Sequence, residues 1–276
     1  MSQARAREGG VREGRTPALV GVIHLPPLPG SPRASASCAE IARGAVEDAR
    51  ALARSGFDLA MLENFGDAPF FASRVPPVTV SAMTRCAVAV REACPDLAVG
   101  VNVLRNDAES ALSVASVVGA ACIRINVHTG ARVTDQGLVQ GAAAETLRLR
   151  RGLGAEGVAI WADVDVKHSA PLAARDVAFE AEDLVHRGLA DAVLVTGEGT
   201  GRGVDADQLR RVRRAVPGTP LLVASGATVA ALPALASSCD GVVVGSALRA
   251  DGKAGGRIAP ERAATFADAF RRAFTR

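Results

Sequence analysis

The chain has 276 residues, 49% of them hydrophobic and 22% charged, with a formal net charge of +3. That balance fits one sizeable globular domain of the length α/β barrels reach, and it excludes a wholly disordered chain. Two of the three net positive charges belong to residues 1–16, where Arg5, Arg7, Arg12 and Arg15 outnumber Glu8 and Glu13. The remainder is close to neutral, so no nucleic-acid partner is expected.

Residues 1–16 are expected to form a disordered tail, and residues 17–276 a single barrel domain. The tail has no apolar run, which fits neither a secretory signal nor a membrane span, and no transmembrane segment is expected elsewhere. The cysteines at 38, 86, 94, 122 and 239 are odd in number and lack a C-x-x-C pair. They match neither a disulfide framework nor a zinc knuckle, and suit thiols in a reducing, cytoplasmic setting. An Ala-, Arg- and Gly-rich composition without tyrosine suggests a GC-rich bacterial source.

Eight apolar runs recur along the chain: LVGVIH (19–24), DLAMLE (58–63), LAVGVNV (97–103), ACIRINV (121–127), GVAIWADV (157–164), DAVLVT (191–196), PLLVAS (220–225) and DGVVVG (240–245). Their lack of strict alternation suits parallel strands buried on both faces. Helical periodicity follows each run, at 38–55, 78–93, 107–118, 138–152, 174–187, 205–215, 228–237 and 260–275. Gly56, Gly119 and Gly188 precede the second, fourth and sixth strands as helix-ending glycines. Eight β/α units in one domain predict an α/β fold, a closed (β/α)8 TIM barrel. The first strand runs into LPPLPGSP, a proline loop in place of a dinucleotide fingerprint, which argues against an open Rossmann sheet.

Barrel enzymes carry their reactive groups at the carboxyl ends of the strands. The polar residues of this chain collect there: His24, then Glu63 with Asn64, Asn102, Asn126 with His128, Asp163 with Asp165, Lys167 and His168, Thr196, Ser225 and Ser246. Burying so many polar groups at one rim costs free energy unless they bond one another or a ligand.

SGAT at 225–228 closes the seventh strand and VVVGSALR at 242–249 carries the eighth. Paired glycine loops there let backbone N–H groups approach a phosphate. Ser225, Gly226, Ala227, Thr228, Gly245 and Ser246 are therefore the expected phosphate cradle. The pattern resembles the phosphate-binding barrels of ribulose-phosphate and tryptophan-synthase-α type.

Glu63 at a rim partly removed from water suits a general acid or base, with a metal ligand or a hydrogen-bond acceptor as alternatives. Asp163, Asp165 and Lys167 alternate, and in extended geometry they would share one face. Lys167 and Lys253 are the only lysines among 32 basic residues, and an amine in a dry pocket can form an imine where a guanidinium cannot. Beside carboxylates, Lys167 would instead stay charged as an electrophile or phosphate partner. A divalent metal held by His24, Glu63 and Asp163 is a third option, and no cofactor is certain. NVHTGARVTDQG after the fourth strand reads as a loop covering substrate, and TGEGTGRG (196–203) as a mobile glycine-rich loop whose Arg202 could meet an anion.

Taken in order, GVIHLPPLPGSP, ENFGDAPF, GVNVLRNDA, RINVHTGARVTDQG, ADVDVKHSAPL, TGEGTG, ASGAT and VVVGSALR resemble the BtpA family of barrel proteins, which includes SgcQ-like proteins of sugar operons. The resemblance implies either the family's proposed role in photosystem I biogenesis or a metabolic enzyme acting on sugars or nucleoside-like compounds.

The residues favour an enzyme on a phosphorylated sugar or nucleotide-derived sugar: a lyase, an isomerase or a glycosyl/phosphoribosyl transferase. Glu63, Lys167, Asp163 and His24 are its expected catalytic residues. Asn64, Asn102, Asn126, His128, Asp165, His168, Thr196 and Arg202 are expected to bind substrate. A non-catalytic assembly or ligand-sensing protein is the alternative, and a homo-oligomer is left open.

Overall fold

A computed structural model describes residues 18–197 and 203–274. The expected tail, Arg202 and the centre of the 196–203 loop lie outside the described residues. Eight parallel strands close into a barrel: β1 (Ala18–His24), β2 (Leu59–Glu63), β3 (Ala98–Asn102), β4 (Cys122–Ile125), β7 (Ala159–Val164), β9 (Ala192–Val195), β10 (Leu221–Val223) and β11 (Gly241–Val244). Each pairs with its neighbour in the chain's order of barrel strands, and β11 returns to β1.

Both faces of the strands are apolar because both are covered. Val20, Val22, Leu59, Met61, Cys122, Trp161, Leu194, Leu222 and Val243 form one cluster, which fills the barrel. The alternate residues, among them Leu19, Ile23, Leu62, Val99, Val101, Ile123, Ile160 and Val193, pack in the larger cluster with the helices. Side chains two residues apart share a face, so the inner stripe of β1 continues from Val22 to His24 and that of β2 from Met61 to Glu63.

The first helix, α1 (Cys38–Ser55), shows how the outer layer is specified. Ser37 and Glu40 form a capping box at its start, and Gly56 at φ +79° ends it. Ile41, Ala45, Ala49 and Leu52 recur at helical spacing and are buried; burying the larger of these contributes about 1.5–3 kcal/mol each. Helices α2 (Pro77–Ala93), α3 (Ala108–Val118), α6 (Ala206–Ala215) and α8 (Pro260–Phe274) continue the ring within two residues of their expected bounds.

Three expectations need correction. The stretch 138–152 is not helical throughout: α4 covers only Ala143–Gly152, after a hairpin of β5 (Ala131–Thr134) and β6 (Gly137–Gln140). Gly137 at φ +93° begins the return strand, and a side chain on Gly141 would lie 2.4 Å from the His128 carbonyl oxygen. β8 (Ser169–Pro171) adds to β5, so the expected covering loop is a three-stranded antiparallel sheet joined to the ends of β4 and β7. The helix expected at 228–237 is a single turn, α7 (Leu232–Leu235).

Gly188 also differs from Gly56 and Gly119. Its φ is −83°, and the left-handed residue is Leu189 at +52°. Glycine stands at 188 because a Cβ would meet the Leu184 oxygen and the Thr129 methyl, each at 2.7 Å. Between α5 (Val177–Glu182) and Gly188 the helix widens into a π turn over Asp183–Arg187.

Candidate active site

Strand register builds the upper layer of the barrel. His24 pairs with Glu63, Glu63 with Asn102, and Asn102 with Arg124, so four polar residues on adjacent strands stand level on the inner face. All four are buried. Asp163, two residues beyond the inward Trp161, accepts from Arg124 through Nε at 3.2 Å and through Nη2 at 3.0 Å to each oxygen. Burial opposes the Arg124 charge, but Asp163, then Glu63, outweigh it and raise its pKa above the ordinary value. Asn126 donates to Asp163, and Asn102 donates to the Arg124 carbonyl at 3.0 Å.

Above this layer opens a cleft with about 40 Å³ of space for a water-sized sphere. His24, Glu63, Phe65, Arg124 and Lys167 line one side; Ala224 to Ala227, Val243 to Ser246 and Ala254 line the other. It thus gathers three of the four expected catalytic residues and five of the six expected cradle residues. Thr228 is turned away, into a groove beside Arg262 and Phe266, where its Oγ1 accepts from the Ala231 N–H at 3.3 Å.

His24 stacks on Phe65 with ring centroids 4.3 Å apart. Gly255 N–H donates to its Nδ1 at 3.0 Å, which places the ring proton on Nε2, the nitrogen 3.8 Å from Glu63 Oε1. Burial first, then the charges of Arg249, Lys167 and Arg124, pull its pKa well below the ordinary imidazole value. The ring is therefore neutral near pH 7 and presents an N–H donor to the cleft.

Lys167 is fixed by its backbone. Its N–H donates to Thr196 Oγ1 at 2.9 Å, and its carbonyl accepts from Arg105 Nη2 at 2.7 Å. Burial, followed by Arg124, lowers its pKa, while Glu63 and Asp163 act in the opposite sense.

The remaining expected residues brace the rim. Asn64 donates to Asp67 and accepts from the Leu104 N–H at 2.7 Å, tying the β2 loop to the β3 loop. His128 bonds the Gly188 carbonyl through Nε2 at 2.8 Å, away from the cleft. Asp165, Lys167 and Asp163 do not share a face, because the chain leaves extended geometry at Asp165, whose φ is +52°. Asp165 turns to Arg132 and Gln208, and His168, also at positive φ, is exposed. Lys253 is exposed and lines no part of the cleft.

The metal reading fails on the same geometry. Asp163 is committed to Arg124, and among the described residues no group of three His, Cys, Asp or Glu side chains is placed to hold a metal ion. The five cysteines are free, and burial pushes the Cys86 thiol to about 12 and Cys239 to about 11. Buried thiols raised in this way, Cys86 and Cys239, are inert.

Sequence reasoning missed four arginines: Arg105, Arg124, Arg132 and Arg249, all buried. Arg124 had a visible signal, a guanidinium in the middle of the apolar run ACIRINV. The others sit on loops or in the accessory sheet, and nothing local distinguishes them from surface arginines.

The closed parallel barrel ringed by helices, with a polar cleft at the carboxyl ends of its strands, makes this a TIM-barrel protein. Solved structures share the fold: KGPDC from Streptococcus mutans at TM-score 0.59 and 11% identity, covering 94% of this chain and 100% of that one, and native KDPGal at TM-score 0.56 and 17% identity, covering 93% and 94%. The chain belongs to the BtpA family, whose model matches residues 15–272. It is 43% identical over 251 residues to the photosystem I biogenesis protein BtpA of Synechocystis, covering 91% of this chain and 87% of that protein. It is 40% identical over 247 residues to a protein of Methanocaldococcus jannaschii, covering 89% and 92%. Among the described residues no helix is long and apolar enough to cross a membrane.

Proposed function

We propose that the protein is an enzyme acting on a phosphorylated sugar or nucleotide-derived sugar, as a lyase, an isomerase or a glycosyl/phosphoribosyl transferase. The observation that carries this reading is the meeting of Glu63, His24 and Lys167 with the Ser225–Ala227 and Gly245–Ser246 turns across one cleft. Backbone amides of those turns seat the phosphate, and close approach is open because neither glycine carries a side chain. Glu63 transfers a proton at the carbon or oxygen next to the reacting carbonyl. Neutral His24 donates from Nε2 to the developing oxyanion. Lys167 polarises the carbonyl as a cation or, where its amine is free, condenses with it to an imine and releases water. Arg124 orients the oxygens of the substrate from the barrel wall, and Asn102 braces it through the Arg124 carbonyl.

The 43% identity to a photosystem I biogenesis protein favours a second reading, an assembly role without turnover. The nearly equal identity to an archaeal protein supports a role wider than one photosynthetic complex. Thermal unfolding with a panel of phosphosugars separates the two: a ligand at 100 times its dissociation constant adds about 2.7 kcal/mol. A shift with phosphorylated but not unphosphorylated sugars is expected. No shift with any phosphate ester, at concentrations where unrelated phosphate-binding barrels respond, overturns the enzymatic reading.

A further inference from the structure

Arg249 is 2% exposed, yet it makes no contact with the cleft. Its guanidinium donates three hydrogen bonds, and all three end on backbone carbonyls: Nη1 to Gly245 at 2.6 Å, Nη2 to Val22 at 2.9 Å and Nε to Gly255 at 3.2 Å. Among the described residues no carboxylate lies within ion-pair distance of it; Asp48, whose charge favours the Arg249 cation most, is spent on Arg257 at 2.9 Å and on the Ile258 N–H at 3.0 Å. A buried charge held only by carbonyls is costly, and an apolar side chain of equal length would pack at less expense. The arrangement therefore calls for a use of the charge and of its fork.

Both uses are visible in what the three carbonyls belong to. Gly245 is the residue of the cradle that faces His24: a Cβ there would stand 3.0 Å from the His24 Cε1. Gly255, at φ +92°, is the residue whose N–H selects the His24 tautomer. Val22 precedes His24 by two residues on the same inner stripe. One guanidinium thus ties together the wall, the turn and the loop that surround a single imidazole.

We propose that Arg249 is the positioning residue of this site: its planar fork holds Gly255 so that His24 carries its proton on Nε2, and its charge lies behind the Gly245–Ser246 turn to attract an anion. The second half rests on the phosphate reading above; the first stands on His24 alone. The charged groups that act on His24 are Glu63 from β2, 3.8 Å away, and the cations Arg124 from β4, Lys167 beyond β7 and Arg249 beyond β11.

The two halves separate by substitution. Arg249→Lys keeps the charge but not the planar fork that reaches three separated carbonyls, while Arg249→Met keeps the length but not the charge. Imidazole nitrogen resonances of the full chain, assigned with His24→Gln, report the tautomer; binding of inorganic phosphate, followed by thermal shift, reports the seat. Wild type is expected to hold His24 as the Nε2–H form across about pH 6 to 8, and Arg249→Lys to mix the two tautomers. Phosphate affinity is expected to fall about tenfold or more in Arg249→Met and less than about fivefold in Arg249→Lys.

A purely structural role would move both readouts together in both variants, which overturns the proposal. So does an unchanged tautomer in Arg249→Lys with unchanged phosphate affinity in Arg249→Met. If Arg249→Met does not fold, the lysine variant still decides the tautomer, and a wild-type His24 protonated on Nδ1 refutes the proposal without any variant. Wild type that binds no phosphate refutes the phosphate reading and with it the role of the charge, while the tautomer readout still judges the fork.

Discussion

Asp163 grips Arg124 from the adjacent strand inside the barrel, with Nη2 3.0 Å from both carboxylate oxygens and neither side chain more than 4% exposed. A pair so deeply buried is weak evidence for net stability, but removing one partner strands the other charge. Asp163→Asn is expected to cost about 3–5 kcal/mol, read by urea denaturation. The double variant Arg124→Met with Asp163→Leu should cost clearly less than the two single changes together. Additive losses would show that the pair acts as two independent contacts.

Glu63 stands beside the Nε2 donor of His24 and shares the cleft with the Ser225–Ala227 and Gly245–Ser246 turns. Glu63→Gln keeps its size and hydrogen bonding but not its proton transfer, so turnover should fall about 10²-fold or more while phosphate-ester binding is kept. If the reaction runs through an imine, borohydride reduction during turnover should attach substrate carbon to Lys167, found by peptide mass. Turnover with no label excludes the imine and leaves Lys167 as a cationic electrophile.

Gly245→Ala tests the cleft without touching a charged group. The new methyl would lie 3.0–3.2 Å from the His24 ring, closer than ordinary contact, so the ring or the turn has to shift. Phosphate affinity is expected to drop about tenfold, with a stability loss of about 1–3 kcal/mol from overpacking. Unchanged affinity would remove the turn from the anion site.

Arg132 links the accessory sheet to the lysine. It donates from Nε to Ser169 Oγ at 2.8 Å and from Nη1 to Glu180 at 3.2 Å, and it pairs with Asp165, so two of its partners bracket Lys167. Arg132→Ala should lower turnover and speed proteolysis within 131–140, with a stability loss of about 1.5–3 kcal/mol. A faster cut with unaltered turnover would make the sheet a cover that leaves Lys167 in place.

The pH dependence of stability follows from His24 and His128, both of which burial holds below the ordinary value of 6.5. The unfolded chain therefore binds more protons than the folded one as pH falls through that value. Stability is full above about pH 6.5 and declines as the pH falls from there toward the lower folded values. His128→Gln combined with His24→Asn should flatten this slope in denaturant titrations at fixed pH values. An unflattened slope would assign it to carboxylates.

Eight apolar runs were enough to name the barrel, because a strand buried on both faces has no other sequence pattern available to it. The glycine turns after β10 and β11 and the polar strand ends, which line the cleft, were legible because glycine and buried polar groups at the carboxyl ends have few structural uses. The accessory sheet was not legible, since Val133 and Val139 alternate too briefly to outweigh the helical run that begins at Ala143. The expected common face of Asp163, Asp165 and Lys167 failed at the left-handed residue Asp165, which turns to Arg132 and Gln208 and separates Asp163 in the barrel wall from Lys167 in the cleft.

Local patterning alone therefore determined the eight-fold architecture and the rim at which the polar residues collect, because burial and turn geometry act within a few residues of chain; the family was legible in the order of its motifs. Tertiary structure decided which polar residues meet: Arg124 with Asp163 39 positions apart, Arg249 with Val22 227 apart, and Gly255 with His24 231 apart. Those pairings depend on the closure of β11 against β1 and on strand register, and charges that find their partners only when a barrel closes leave no periodic trace along the chain.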